Sequence, residues 1–545
     1  MFKYILQHKT TVLILSYSLI FLLIRLILLD QTFMLHDERD IVYSGWSLAK
    51  SGKDLYGNFF PFSFNGISPD NPLFSIWFSA IGSIFIPATS VFAARFPFVL
   101  ASTSLPILFF LLSFVFTKNR RFSLIFMIIS TLNPWMFHLS RYAMDITIAL
   151  PIMILAIIML LKNKRLIAYV LLFLTCFNYQ GFRLVIPFIL FISEVYLALK
   201  NSSKLKFRSF IPHIIFIFFL LFSILIIDRQ VTMSRTNQVI FLNKDKFASK
   251  VNDNRRLTLA PLTVSKYFDN KLVENIRYSY EAFVNGLNTE LFFFQGDRSA
   301  TNGTGIGGLL FISTLPFFLY GLISLRKKSY PYYFLSSFIL WGMIPSIASL
   351  NGHSYGIRGS LMIVGYATLI TIGLLEIWAI LNKYKIIKYA LFCLFGLVYI
   401  LDTSFFAYNY FLRRPIMLGE MYSERERTLY TKISGLPANT KVIIFDNEPK
   451  NLLISYMFLH STPIDIVQKV LARTIKKDYH IDNISFFDCD NNWKSISNNK
   501  TVFISNRCLL DKEYNALQDM ELKSIYYTDT PLIAFFIINN DLNIK

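Results

Sequence analysis

Cysteine is scarce, with four in 545 residues, too few for a fold held by a disulfide framework. Cys176 and Cys393 lie in apolar stretches, where a thiol behaves as a small hydrophobe. Only Cys489 and Cys508 share a polar region, where they could pair or remain two free thiols, according to the compartment. Charge is scarce as well: 16% of the residues are Asp, Glu, Lys or Arg, against 54% hydrophobic and 17% aromatic. Mean hydropathy is +0.47, more than a water-soluble core of this size requires, so lipid is the solvent for most of the chain. No Walker motif, HExxH or Cys/His metal spacing occurs. The run "GTGIGG" (303–308) has no strand before it and reads as a flexible loop.

What is abundant is positive charge, +20 net from 54 Lys and Arg against 34 Asp and Glu. In a soluble protein this would suggest nucleic acid. Here the cations fall in short clusters between apolar runs, the positive-inside pattern of a membrane protein, which argues against nucleic acid as a partner. The N-terminal "MFKYILQHK" precedes an apolar run with no small-residue cleavage site and with Arg25 inside it, so it reads as an uncleaved signal anchor.

A spanning helix needs about 20 apolar residues, and eleven candidates follow: 11–29, 90–116, 122–139, 146–161, 166–181, 184–200, 209–227, 306–325, 332–350, 359–381 and 388–408. The basic loops at 117–121, 162–165, 200–208, 326–328 and 382–388 are assigned to the cytoplasm. Residues 71–86 also look apolar, yet a span there would turn every later basic loop outward. At about 15 residues the stretch is too short to cross, so it is expected to be interfacial or re-entrant. Parity then places the N-terminus in the cytoplasm, and 30–89, 140–145, 178–183, 228–305, 351–358 and everything after 409 outside. The transmembrane domain is expected over 1–408. Residues 409–545, with β-like runs at 441–446, 501–505 and 531–539 between Asn- and Asp-rich turns, read as a small extracytoplasmic α/β domain.

Two acidic motifs fall on the outer face. "HDERD" (36–40) follows the first span, and its adjacent Asp37 and Glu38 suit general-base work; the alternative is an ordinary charged helix start. "SRYAMD" (140–145) brings Asp145 four residues after Arg141, a spacing that permits contact on one helical face or a simple helix-end salt bridge. Outer-face cations are few: Arg95, Arg183, His353 and Arg358. Each could bind a phosphate or carboxylate, or snorkel to interfacial water. Arg25, inside the first span, is expected to snorkel or to pair within the membrane.

The runs "HDERDIVYSGWSLAKSGKDLYG", "SPDNPLFSIWFSAIG", "AARFPFVLAS" and "NPWMFHLSRYAMD" resemble the GT-C membrane glycosyltransferases of the protein O-mannosyltransferase and aminoarabinose-transferase type. The similarity continues through "NYQGFRLVIPFIL", "LFFFQGDR" and "NGHSYGIRGSL" and covers roughly residues 1–410. It implies a polytopic α-helical GT-C fold and inverting transfer of a single sugar from a polyprenyl-phosphate donor to a lipid, glycan or protein hydroxyl at the outer face of the cell membrane. Under that resemblance Asp37 is the base with Glu38 beside it, and Asp145 is the second acid. Arg95, Arg183, His353 and Arg358 neutralise the leaving phosphate. No cofactor is required, and a divalent metal is possible but unsupported. The loop 228–305 matches no particular acceptor. A transporter or flippase for a lipid-linked saccharide is the competing class. It should place its ionisable residues at the bilayer midplane within repeated halves, whereas no repeat is visible. A non-catalytic assembly or sensor protein is a third class.

Overall fold

The computed structural model describes residues 2–59, 72–86, 90–202, 204–227, 247–297, 303–350, 354–419, 421–437, 440–472, 478–489, 501–508, 523–526 and 533–538. They form a mostly helical, multi-pass membrane protein with one small sheet. Two compact units are present. The first comprises Met1–Ile27, Pro72–Ser75 and Phe96–Tyr410; the second comprises Leu28–Asn71, Ile76–Arg95 and Phe411–Lys545.

Among the described residues, six helices are long and apolar enough to cross a membrane: Lys9–Leu26, Val91–Thr117, Gly181–Lys200, Phe207–Ile227, Met362–Lys383 and Lys385–Met417. Asp145–Leu161, Arg165–Asn178 and Ile312–Leu325 are shorter apolar helices. Local chemistry explains why other expected spans are interrupted. The stretch 122–139 breaks into Arg120–Thr131 and Pro134–Leu139, because Asn133 caps the second helix by accepting the Met136 N–H (2.9 Å) and Pro134 occupies its first turn. The stretch 332–350 becomes the short helices Tyr330–Ser336, Phe338–Gly342 and Ile344–Ala348, with Pro331 and Pro345 in the first turns of two of them. Residues 71–86 contain the helix Leu73–Phe85, whose 13 residues fall short of a span.

Small residues and polar pins hold the helical unit together. Gly321 and Gly373 let Leu315–Leu325 and Met362–Ile380 touch backbone to backbone. A Cβ on Gly321 would lie 1.8 Å from the Leu369 carbonyl oxygen, and one on Gly373 would lie 1.9 Å from that of Phe317. Buried Glu194 accepts from Arg165 Nη2 (2.7 Å) and His213 Nε2 (2.9 Å), while His213 Nδ1 takes the Tyr169 hydroxyl (2.7 Å). Because a carboxylate only accepts, this fixes the imidazole tautomer and ties three helices at one level. Arg25 is buried, donating from Nη2 to the Thr131 carbonyl (2.8 Å) and from Nε to Ser140 Oγ (3.2 Å), with its guanidinium 3.6 Å from the Phe21 ring centre. It is therefore paired within the protein.

The second unit carries a six-stranded sheet of β1 (Val442–Phe445), β2 (Tyr479–Ile481), β3 (Ile484–Phe487), β4 (Thr501–Ser505), β5 (Lys523–Tyr526) and β6 (Ile533–Ile538). Its order is β2-β3-β1-β4-β6-β5. β1 pairs in parallel with both β3 and β4, in register Val442 with Ile484 and Val442 with Thr501; the other pairings are antiparallel. The central strand "VIIF" is apolar throughout, as a strand covered on both faces must be. Just past the ends of β3 and β4, Cys489 and Cys508 form a disulfide with Cα atoms 5.1 Å apart.

Candidate active site

The helix His36–Ser51 starts on the first acidic motif. Leu35, its N-cap, has no side-chain acceptor. Glu38, at N3, takes the Leu35 N–H at Oε2 (3.1 Å), the reciprocal half of a capping box. The same carboxylate receives Arg95 twice, Nε to Oε1 (2.9 Å) and Nη2 to Oε2 (2.7 Å). Arg95 also donates from Nη1 to the carbonyls of Leu29 (2.7 Å) and Thr32 (3.0 Å), and from Nη2 to that of Phe33 (2.8 Å). A guanidinium has five N–H bonds, and all five here have acceptors. Glu38 is 0% exposed and Arg95 1%.

These contacts correct two assignments. Arg95 has no donor left for a phosphate, and Glu38 has no open face toward a substrate. Together they form a clasp that locks the turn 29–38. Arg39 and Asp40 are buried too; Arg39 donates to Ser455 Oγ and, from Nη2, to His36 Nδ1 (2.8 Å). Burial, followed by the positive charge of Arg39, lowers the His36 pKa to about 4, so the imidazole is neutral and accepts. Of the five residues in "HDERD", Asp37 alone is exposed. Its carboxylate stands in the first helical turn, at the positive end of the macrodipole.

Asp145 is half-buried and begins the helix Asp145–Leu161, its Oδ1 taking the Ile146 N–H (2.7 Å). Residues 141–144 are not helical, so the four-residue spacing from Arg141 to Asp145 is not a helical i,i+4 pair, and the Arg141 guanidinium lies 5.0 Å from the Phe137 ring centre. Asn178, buried beside it, donates from Nδ2 to the Asp145 carbonyl (3.0 Å) and accepts Ser75 Oγ at Oδ1 (2.5 Å). Arg183 is half-buried, with Nε on the Cys176 carbonyl (3.0 Å) and the guanidinium 5.8 Å from the Phe177 ring centre. His353 lies outside the described residues. Arg358 is half-buried in a turn held by Asp297, whose Oδ2 accepts the N–H groups of Tyr355 and Gly356 (both 2.6 Å) and Ser354 Oγ (3.3 Å). Trp135 Nε1 adds a bond to the Gly356 carbonyl (2.6 Å).

Asp297 escaped the sequence reading although it lies within the quoted run "LFFFQGDR". A second omission sits at the carboxyl ends of β1 and β4, where buried Arg425 meets Asp446 Oδ2 (3.1 Å) and Ser505 Oγ (3.0 Å). Burial raises the Asp446 pKa despite the adjacent guanidinium. No spacing in the sequence marks either contact. Among the described residues, no three His, Cys, Asp or Glu side chains stand together as metal ligands.

No protein family and no curated protein matches the sequence. Among solved structures, the chain is similar to ArnT from Cupriavidus metallidurans in the apo state, at 10% identity and a TM-score of 0.42, over 97% of this chain and 98% of that one. It is also similar to the oligosaccharyltransferase AglB from Archaeoglobus fulgidus, in complex with an inhibitory peptide and a dolichol-phosphate, at 12% identity and a TM-score of 0.45, over 97% and 75%. Both neighbours are GT-C glycosyltransferases. The GT-C likeness is distant in sequence and in superposition, and what ArnT and AglB bind is a property of those proteins.

Proposed function

We propose that the chain is a membrane glycosyltransferase that moves a single sugar from a polyprenyl-phosphate carrier to an acceptor hydroxyl on the extracytoplasmic side, with inversion. The observation that carries this reading is the state of the first acidic motif: Glu38, Arg39 and Asp40 are buried, the Glu38–Arg95 clasp fixes the turn, and Asp37 is exposed upon it. A structural helix start needs no such support for its one exposed carboxylate. A catalytic base does, because an error of about 1 Å can cost a hundredfold in rate.

In this reading Asp37 takes the acceptor hydroxyl proton as the oxygen bonds to the anomeric carbon. The bond from that carbon to the phosphate oxygen breaks, and the electron pair leaves on the polyprenyl phosphate. Arg183 and Arg358 are the cations assigned to the negative charge that develops there, a charge larger in the transition state than in the ground state. Asp145 is assigned to holding donor or acceptor. The Cys489–Cys508 disulfide favours an oxidising compartment for the sheet-bearing unit, in keeping with cytoplasmic basic loops. ArnT from Cupriavidus metallidurans has been captured bound to undecaprenyl phosphate, a carrier of the class proposed here.

The test is reconstitution in lipid discs with a panel of polyprenyl-phosphate sugars, following released carrier phosphate and the anomeric configuration of the product. Transfer with inversion is expected. Retention would contradict the single-displacement chemistry, and no transfer with any donor would favour the transporter.

A further inference from the structure

A cavity of about 60 Å³ opens in the helical unit, lined by Asn285, Asn288, Glu290, Leu291, Gln295, Gly296 and Tyr355. Three carboxamides and one carboxylate form the wall, and each carboxamide has both donors and an acceptor. Asn288, Glu290 and Gln295 are exposed at the mouth, whereas Gly296 and Tyr355 are buried at the base. Gly296 has φ +75°, and a Cβ there would lie 2.1 Å from the Gly307 carbonyl oxygen, so glycine is required where the base packs against the Gly307 backbone. The wall is shaped by a π-helical turn, Leu291–Gln295, a rare conformation found often at functional sites. Within it Gln295 Nε2 bonds to Glu290 Oε1, and Asn288 Oδ1 takes the Glu290 N–H (2.9 Å), which sets the orientation of these groups.

We infer that this cavity binds a saccharide. The inference rests on the transferase reading and adds a saccharide-binding site to it. A space that holds one water needs about 10–15 Å³ by the same measure, so 60 Å³ takes a few hydroxyl-sized groups, the exposed edge of a pyranose ring. Planar amides and a carboxylate suit vicinal hydroxyls, which both donate and accept. A peptide strand would call for a run of backbone partners or apolar side-chain pockets, and among the described residues the lining offers Leu291 as its only aliphatic side chain. The same segment leads directly into Asp297, which holds the turn carrying Arg358.

The test uses the full chain in lipid discs and saturation-transfer NMR with three probes: methyl α-mannoside, methyl β-N-acetylglucosaminide and a Ser/Thr-containing hexapeptide. Asn288→Ala and Gln295→Ala change exposed residues, and an unchanged thermal midpoint establishes that each variant is folded. At least one glycoside should bind saturably to the wild type, and its Kd should rise about tenfold or more in each variant, the scale for losing one hydrogen bond. No glycoside binding, binding equal in wild type and variants, or saturable binding of the hexapeptide alone overturns the inference. Glycoside binding that the variants weaken, in a protein that transfers no sugar from any donor, keeps the saccharide site and removes the transferase reading.

Discussion

Glu38 and Arg95 lie 57 positions apart and form a bidentate, fully buried ion pair with a closest approach of 2.7 Å. Sequence reasoning gave both of them chemistry, and the structure gives both of them to the backbone turn 29–38. Breaking a buried pair by removing one partner leaves an uncompensated charge, at a cost of about 3–5 kcal/mol. Glu38→Ala and Arg95→Ala should therefore each lower the thermal midpoint strongly. Asp37→Asn, at an exposed position, should stay within about 0.5 kcal/mol of wild type. Thermal unfolding of the three variants side by side checks this. A stable Arg95→Ala variant that has lost only donor affinity would return Arg95 to a phosphate-binding role.

His36 makes the second unit sensitive to acid. Its pKa is lowered to about 4 by burial and by Arg39, with Arg425 and Arg507 acting in the same direction and Glu448 opposing them. In the unfolded chain His titrates near 6.5, so between those values the unfolded state binds a proton that the folded state does not. The contribution is present above about pH 6.5 and is lost as pH falls toward 4, amounting to at most about 3 kcal/mol. His36→Gln has no imidazole to protonate. Its thermal midpoint should fall less than that of wild type between pH 7 and pH 4.5, and equal falls would show that His36 is not the group responsible.

The Cys489–Cys508 disulfide closes a loop between residues 19 apart in sequence, past the ends of β3 and β4. Removing a crosslink over a loop of this size costs roughly 3 kcal/mol. Cys489→Ser with Cys508→Ser should lower the unfolding midpoint of the sheet-bearing unit. In the wild type, thiol labelling of the unfolded protein should reach these two cysteines only after reduction. Labelling without reductant would place this unit in a reducing compartment and contradict the outward orientation.

The features legible in the sequence were those that repeat along the chain. Runs of apolar residues gave the membrane class. The β-like runs at 441–446, 501–505 and 531–539 became β1, β4 and β6, because a buried strand is written in consecutive residues. Helix continuity was less legible: Asn133 and Pro134 end one helix and start another inside a single hydrophobic run. The partner of a buried charge was not legible at all. That Arg95 answers Glu38, or Arg425 answers Asp446, depends on the approach of segments far apart in sequence, and no local pattern records it. Within "HDERD" the motif alone does not separate Asp37 from its neighbours; the burial of the three residues that follow it does.

The central claim is that Asp37 is the base that activates the acceptor. Its most direct test is the rate of sugar transfer by Asp37→Asn relative to wild type, measured with a donor the wild type uses and at matched thermal stability. Loss of a general base predicts a fall in kcat of about 10²–10⁴ with little change in donor affinity. Equal rates for the two proteins would contradict the account.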